Sequence, residues 1–237
     1  MGPTGDTAPH RIGPAPTSQL WRDAVFLHWP CDPDRLAPLL PPGTRPDVFA
    51  GTGWLGVVAL RMPVIRLAGV PLGGMTQLNV RTYCVDRTGG RGQVFLAMEL
   101  SRPELGAGLR MLSGLPCRGS RVRQQRDGGT LGYRAERRGL RVRFLVRPGE
   151  AVETGPLERF LTARWALHFA RAGRTVRLPV AHEPWRLRSA ELLGLSHRGL
   201  APLFAGCATG PRWPHVLVGA GVSARFGFPA LLPPRRP

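Results

Sequence analysis

The chain contains no lysine: all 33 of its basic side chains are arginine. That absence excludes Schiff-base chemistry and a lysine general base everywhere except at the α-amino group. Acidic residues are scarce too, 15 against 33, which leaves a formal net charge of +18. Such a balance would attract nucleic acid, an anionic membrane or an acidic ligand. The arginines are scattered through every predicted element instead of forming a block. With abundant Ala, Gly and Pro they read more simply as a compositional bias than as a nucleic-acid footprint. Cysteine is sparse: Cys31, Cys84, Cys117 and Cys207 stand far apart without a CxxC pair. This argues against a zinc or iron–sulfur cluster and gives no sign of a disulfide scaffold. No apolar run reaches the ~18 residues of a membrane span. The first residues lack the apolar core of a signal peptide. The expectation is a cytoplasmic protein with no membrane partner.

What is present points to β-structure. Gly (31) and Pro (25) are plentiful, yet 43% of residues are apolar and six tryptophans are spread along the chain. Many tight turns between short elements account for this combination. No charged or Ser/Gly-rich linker divides the middle of the 237 residues. One domain is therefore expected over residues 19–230, between a disordered N-terminal segment, 1–18, and a flexible tail, 231–237. Asp32 as N-cap and Pro33 at the first helical position start a short helix carrying Leu36, Leu39 and Leu40. Residues 54–62 read as a strand buried on both faces or nearly so, which Pro63 either ends or places next to an edge, with 69–74 an irregular connection. A capping-box spacing from Ser101 to Glu104 opens a helix to about Leu112. Three strands follow at 120–126, 130–138 and 140–147. A longer helix is expected over 157–170, a hairpin from 176–180 and 185–192, and a last strand over 216–226.

The most informative segment is 77–85. A two-residue period puts Gln77, Asn79, Arg81 and Tyr83 on one face, with Leu78, Val80, Thr82 and Cys84 on the other. Both faces carry bulk, so the polar row can line a cavity. After a turn at 86–90, the return strand 93–100 brings Glu99 opposite that row as a pocket wall. Arg81 is the candidate for holding an anionic or carbonyl-bearing ligand through its planar fork; the alternative is an ion pair with Glu99 across the hairpin. Asn79 and Tyr83 either orient such a ligand or close a hydrogen-bond network. His28, between apolar neighbours, is either a general acid or base or a hydrogen-bonded core residue. Gly51-Thr52-Gly53-Trp54-Leu55-Gly56 imitates a dinucleotide loop but precedes its strand, so no nucleotide cofactor is expected. The histidines lack metal-ligand spacing, and no metal is expected.

Six segments together resemble one family: Gln19-Leu20-Trp21, Phe26-Leu27-His28-Trp29, Trp54-Leu55-Gly56-Val57-Val58, Leu78-Asn79-Val80-Arg81-Thr82-Tyr83, Phe160-Leu161-Thr162-Ala163-Arg164-Trp165 and His182-Glu183-Pro184-Trp185. In this order they resemble the YqjF-like family, DUF2071. The resemblance implies an α+β fold related to acetoacetate decarboxylase, in which a curved antiparallel sheet forms a cone-like barrel with a few packed helices around a small hydrophobic cavity. The decarboxylase relatives form a Schiff base through lysine, and that chemistry has no residue to run on here. Gln77 stands where the family often has an acidic residue, and Glu99 is the nearest substitute by pattern. The function expected is a small-molecule-binding protein or lysine-independent enzyme for a small organic acid or carbonyl compound. Candidate ligand contacts are Gln77, Asn79, Arg81, Tyr83, Glu99 and His28. The alternative is a basic interaction or nucleic-acid-associated module without catalysis. Homo-oligomerisation is left open.

Overall fold

A computed structural model describes residues 5, 7–13, 15–208 and 214–233. The strands are β1 (Thr17–Cys31), β2 (Thr44–Pro46), β3 (Gly53–Leu67), β4 (Val70–Asp86), β5 (Arg91–Leu100), β6 (Cys117–Gly119) and β7 (Arg121–Asp127). They continue with β8 (Thr130–Arg137), β9 (Leu140–Ala151), β10 (Ala166–Arg171), β11 (Arg174–His182), β12 (Leu187–Arg198), β13 (His215–Phe226) and β14 (Ala230–Leu231). The α-helices are short: α1 (Pro33–Leu36), α2 (Pro103–Ser113) and α3 (Pro156–Thr162). β1 begins inside the segment expected to be disordered, part of which, with the last residues of the expected tail, lies outside the described residues. No helix among the described residues is long and apolar enough to cross a membrane.

All strands join one sheet in the order β14-β11-β10-β5-β4-β3-β1-β13-β12-β9-β8-β7, with β2 attached to β4 and β6 to β5. This order corrects the expected cone-like barrel. A barrel closes its sheet and removes the edges, whereas this path is open and ends at β14 and β7. β11 also meets β13 through Val180–Phe226, Ala181–Arg225 and His182–Ala224, but the sheet runs on past β13 through β12 and β9. That extension packs over one face of β1, β3 and β4. Leu27, Val57 and Val80 share a core there with Val122, Tyr133 and Phe144. The opposite face holds a second core that includes Phe26, Val58, Leu60, Met98, Phe169 and Leu217. β3 is therefore buried on both faces, as its apolar run implies. Register shifts in the β1–β3, β3–β4 and β9–β12 pairs bend the strands locally.

Several local expectations are corrected. Pro63 does not end β3, and 69–74 is not irregular: Met62–Met75 and Leu67–Val70 remain paired across a bulged hairpin. Ser101 does not cap α2; its hydroxyl accepts from the Thr76 amide, and Arg102 takes the cap position. The expected helix over 157–170 stops at Thr162. Ala163 leaves helical geometry with φ −88° and ψ 82°, and residues 166–171 pair with β11 as a strand. The three-and-four spacing of Leu157, Leu161, Trp165 and His168 is satisfied by half a helix and half a strand. Cys31 and Cys207 are joined in a disulfide across 176 positions, a separation that carries no local sequence signal.

Candidate functional site

Within the second core lies a cavity of about 340 Å³. Its walls are mainly apolar, built from Trp21, Phe26, Phe95, Leu167, Phe169 and Trp185. Trp185 lies over Gly219, where a Cβ would come within 2.5 Å of its ring. Leu109 of α2 and Phe228 line the cavity while remaining exposed, which marks the mouth. Gln77, Asn79 and Arg81 line it from β4, and Gln93 from β5.

Arg81 is buried with no carboxylate partner among the described residues. Its Nε donates to the Tyr83 hydroxyl at 3.2 Å and its Nη2 to the Leu161 carbonyl at 3.0 Å. Nη1 has no hydrogen-bond partner among the described residues. The Tyr83 hydroxyl also donates to Leu161 O at 2.8 Å and lies 2.6 Å from His28 Nε2. Tyr83 and His28 are on β4 and β1, two strands separated by β3. Gly56 of β3 pairs with both His28 and Arg81. A Cβ there would come within 2.7 Å of the His28 ring, so the missing side chain is what lets the imidazole reach across β3. Burial holds His28 well below its ordinary value of 6.5, helped by the positive charge of Arg81. His28 is thus neutral near pH 7. Tyr83 and His28 stand behind Arg81, outside the cavity lining.

A second buried guanidinium completes this end. Arg164 pairs through Nη1 with the buried Asp47, which also accepts both Arg91 Nε and Arg91 Nη2 at 2.8 Å. Arg164 Nε donates to the Phe160 carbonyl at 2.6 Å. Its guanidinium lies 4.2 Å from the Tyr83 ring centre and 4.1 Å from that of Phe160, a cation–π sandwich. Phe160 and Leu161 carbonyls belong to the last turn of α3, where unsatisfied acceptors and the negative end of the helix favour cations. Arg164 Nη2 is buried, lacks a hydrogen-bond partner, and belongs to a cavity-lining residue. Asn79 Oδ1 and Gln93 Oε1 are unpartnered in the same way.

Glu99 does not join this site. A register shift between Val80 and Arg81 makes Arg81 pair with Phe95 while Leu78 pairs with Glu99. The extra residue, Leu96, reverses the face of everything after it. Glu99 is instead buried with Ser120 and Arg137. The Arg81–Glu99 ion pair, the alternative that the hairpin pattern left open, is therefore not formed. His182 lines the cavity against Trp21, Trp165 and Trp185, and burial lowers its pKa. Burial pushes the Cys84 thiol up to about 12, too high for a nucleophile near neutral pH. No group of three or more His, Cys, Asp or Glu among the described residues could hold a metal ion. Outside the cavity, Arg123, Arg134 and Arg143 stand directly opposite one another on β7, β8 and β9.

The model of DUF2071, an uncharacterized conserved protein family, matches residues 18–223. The chain belongs to this family. The DUF2071 chain is 26% identical over 183 residues to the uncharacterized protein YqjF of Bacillus subtilis (strain 168), covering 73% of this chain and 75% of that one. Its fold is similar to acetoacetate decarboxylase from Legionella pneumophila, with a TM-score of 0.67 at 14% identity, over 95% of this chain and 92% of that one. It is also similar to an acetoacetate decarboxylase-like enzyme from Sphingomonas wittichii RW1, with a TM-score of 0.66 at 16% identity, over 93% and 94% of the two chains. The enduracididine biosynthesis enzyme MppR complexed with pyruvate aligns with a TM-score of 0.64 at 16% identity, over 98% and 99%. These likenesses establish the α+β fold of acetoacetate decarboxylase-like proteins.

Sequence reasoning about this DUF2071 protein missed Arg164 and Gln93. Arg164 lies in the motif Phe160-Leu161-Thr162-Ala163-Arg164-Trp165, but its assignment to a continuous helix hid its inward turn. Gln93 shares the two-residue phase of Glu99, which put it on the pocket side, but it was not singled out as a candidate. A signal for the His28–Tyr83 contact did exist: a lone glycine inside the strand Trp54-Leu55-Gly56-Val57-Val58 marks a close approach.

Proposed function

We propose that the cavity binds a small organic acid or carbonyl compound, with Arg81 gripping its oxygens and the aromatic walls covering its body. The observation that carries this reading is Arg81: a buried guanidinium at one end of an apolar cavity, with no carboxylate partner among the described residues. A buried cation without a counterion is costly, and an anionic ligand supplies the missing partner through charge-assisted bonds. The complex of MppR with pyruvate adds that a protein of this fold accommodates a small keto acid. Any reaction proceeds without a Schiff base to lysine. The test is calorimetric titration of phenylacetate and benzyl alcohol into wild type and Arg81→Met. Phenylacetate should bind wild type and lose about 30-fold or more in the variant. Equal binding to both proteins, or preference for the alcohol, removes the reading.

A second reading, a basic interaction module, is favoured by the Arg123–Arg134–Arg143 row, because like charges directly opposite on neighbouring strands oppose folding. Its test is binding of heteropolymeric DNA or RNA as a function of salt: no measurable binding near 0.15 M salt removes it.

A further inference from the structure

We infer that the cavity is catalytic, with His182 as the base that interconverts the keto and enol forms of a keto acid; this rests on the carboxylate role proposed for Arg81. His182 ends β11, pairs with Ala224 of β13 and lines the cavity together with Arg81. Its Nδ1 lies 2.7 Å from the Glu183 carbonyl oxygen. A carbonyl oxygen only accepts, so Nδ1 carries the proton and Nε2 keeps a free lone pair. Unlike the sealed ring nitrogens of His28 and His168, Nε2 remains accessible, and it has no hydrogen-bond partner among the described residues. The rings of Trp21, Trp165 and Trp185 hold the imidazole in place, with centres 5.6, 4.7 and 5.7 Å from its own. Arg81 approaches the same aromatic wall from the other end. Its guanidinium lies 5.6 Å from the Phe26 ring centre, and Phe26 lies 5.2 Å from Trp185. Burial, and then the Arg81 charge, hold the imidazole below its ordinary 6.5 against the opposing pull of Glu183. The base is thus unprotonated near pH 7.

A neutral base near a fixed cation suits the removal of a proton next to a carbonyl. With the carboxylate on Arg81, the Nε2 lone pair takes the proton from the carbon beside the ketone. The C–H electron pair becomes the C=C bond, and the carbonyl π pair moves onto oxygen. Passing the same proton from Nε2 to that oxygen gives the enol; returning it to carbon regenerates the ketone. No oxidant or co-reactant is needed. Donors meet the developing oxyanion: the NH2 groups of Asn79 and Gln93 remain accessible and without a hydrogen-bond partner among the described residues, while their oxygens are sealed in protein. His182 also lines a second cavity of about 200 Å³ with Trp165 and Pro184. Pro184 is exposed, so this cavity opens at the surface. Through it the imidazole can exchange its proton with water while a ligand fills the first cavity.

The test is exchange of the C3 hydrogens of phenylpyruvate for deuterium in D2O, followed by NMR with the full chain and with buffer alone. Wild type should accelerate the exchange. His182→Gln, checked for folding by circular dichroism, should lose about 100-fold or more of that acceleration while binding phenylacetate as wild type does. In wild type, kcat/KM for exchange reports the free protein; it should stay level as pH falls to 6.5 and decline only below it. That profile stands as a test even if the variant does not fold. Exchange undiminished in His182→Gln, or kcat/KM declining already above pH 6.5, overturns His182 as the base. Phenylacetate binding to wild type without accelerated exchange overturns the catalysis and leaves the carboxylate reading intact. Neither binding nor exchange overturns both together.

Discussion

Arg81 and Glu99 face opposite sides of the sheet, so removing both should cost no more than the sum of removing each. In Arg81→Met, Leu161 O keeps the Tyr83 hydroxyl and the Tyr83 oxygen keeps His28. No buried acceptor is left bare, and the loss of two hydrogen bonds and the Phe26 and Tyr83 ring contacts should cost about 1–3 kcal/mol. Glu99→Gln weakens bonds to Ser120 and Arg137, a set that shares no member with the first. Arg137 is 31% exposed at its side chain, so water can hydrate the charge left behind, and about 1–3 kcal/mol is again expected. Urea unfolding of wild type, both single variants and the double variant gives the coupling energy directly. It should lie within about 0.5 kcal/mol of zero, as for sites without shared partners. A coupling above about 1 kcal/mol would mean that the two side chains meet, and would refute the bulge-reversed register on which the site rests.

Three further outcomes concern single ionisable groups. His28 has a folded pKa well below its ordinary 6.5 because burial disfavours the imidazolium, so the unfolded chain takes up the proton first. Its contribution to stability is complete above pH 6.5 and is lost as pH falls from there toward the folded pKa, at up to about 1.4 kcal/mol per pH unit. Unfolding titrations of His28→Gln should show a correspondingly shallower acid slope, and an unchanged slope would contradict the neutral, buried imidazole. Asp47→Asn leaves the buried Arg164 without its counterion and should cost about 3–5 kcal/mol. Glu191→Gln, which breaks the exposed Arg147 pair, should stay within about 0.5 kcal/mol by the same urea assay.

The candidate site was half legible in the sequence. The alternation through Gln77, Asn79 and Arg81 identified a polar face on a buried strand, because a two-residue period fixes side-chain direction whatever the strand pairs with. The family resemblance supplied the fold relationship. Position across strands was not legible. One extra residue at Leu96 moved Glu99 to the far core, and alternation within a strand carries no record of a bulge in its partner. Closure was overestimated for a related reason: sheet order depends on where β12 and β9 continue beyond β13, a long-range choice with no local pattern. Arg164 was hidden because apolar spacing at three and four residues does not distinguish a full helix from α3 followed by β10. The carbonyls freed where α3 stops are the ones that Arg81, Tyr83 and Arg164 use.

The most direct test of the central claim is a crystal structure of the protein with phenylacetate bound. The carboxylate should lie within about 3.2 Å of the Arg81 guanidinium, with the ring against the aromatic walls of the cavity near Trp21 and Trp185. A carboxylate bound elsewhere, such as on the Arg123–Arg143 row, with the Arg81 end of the cavity unoccupied, would contradict it.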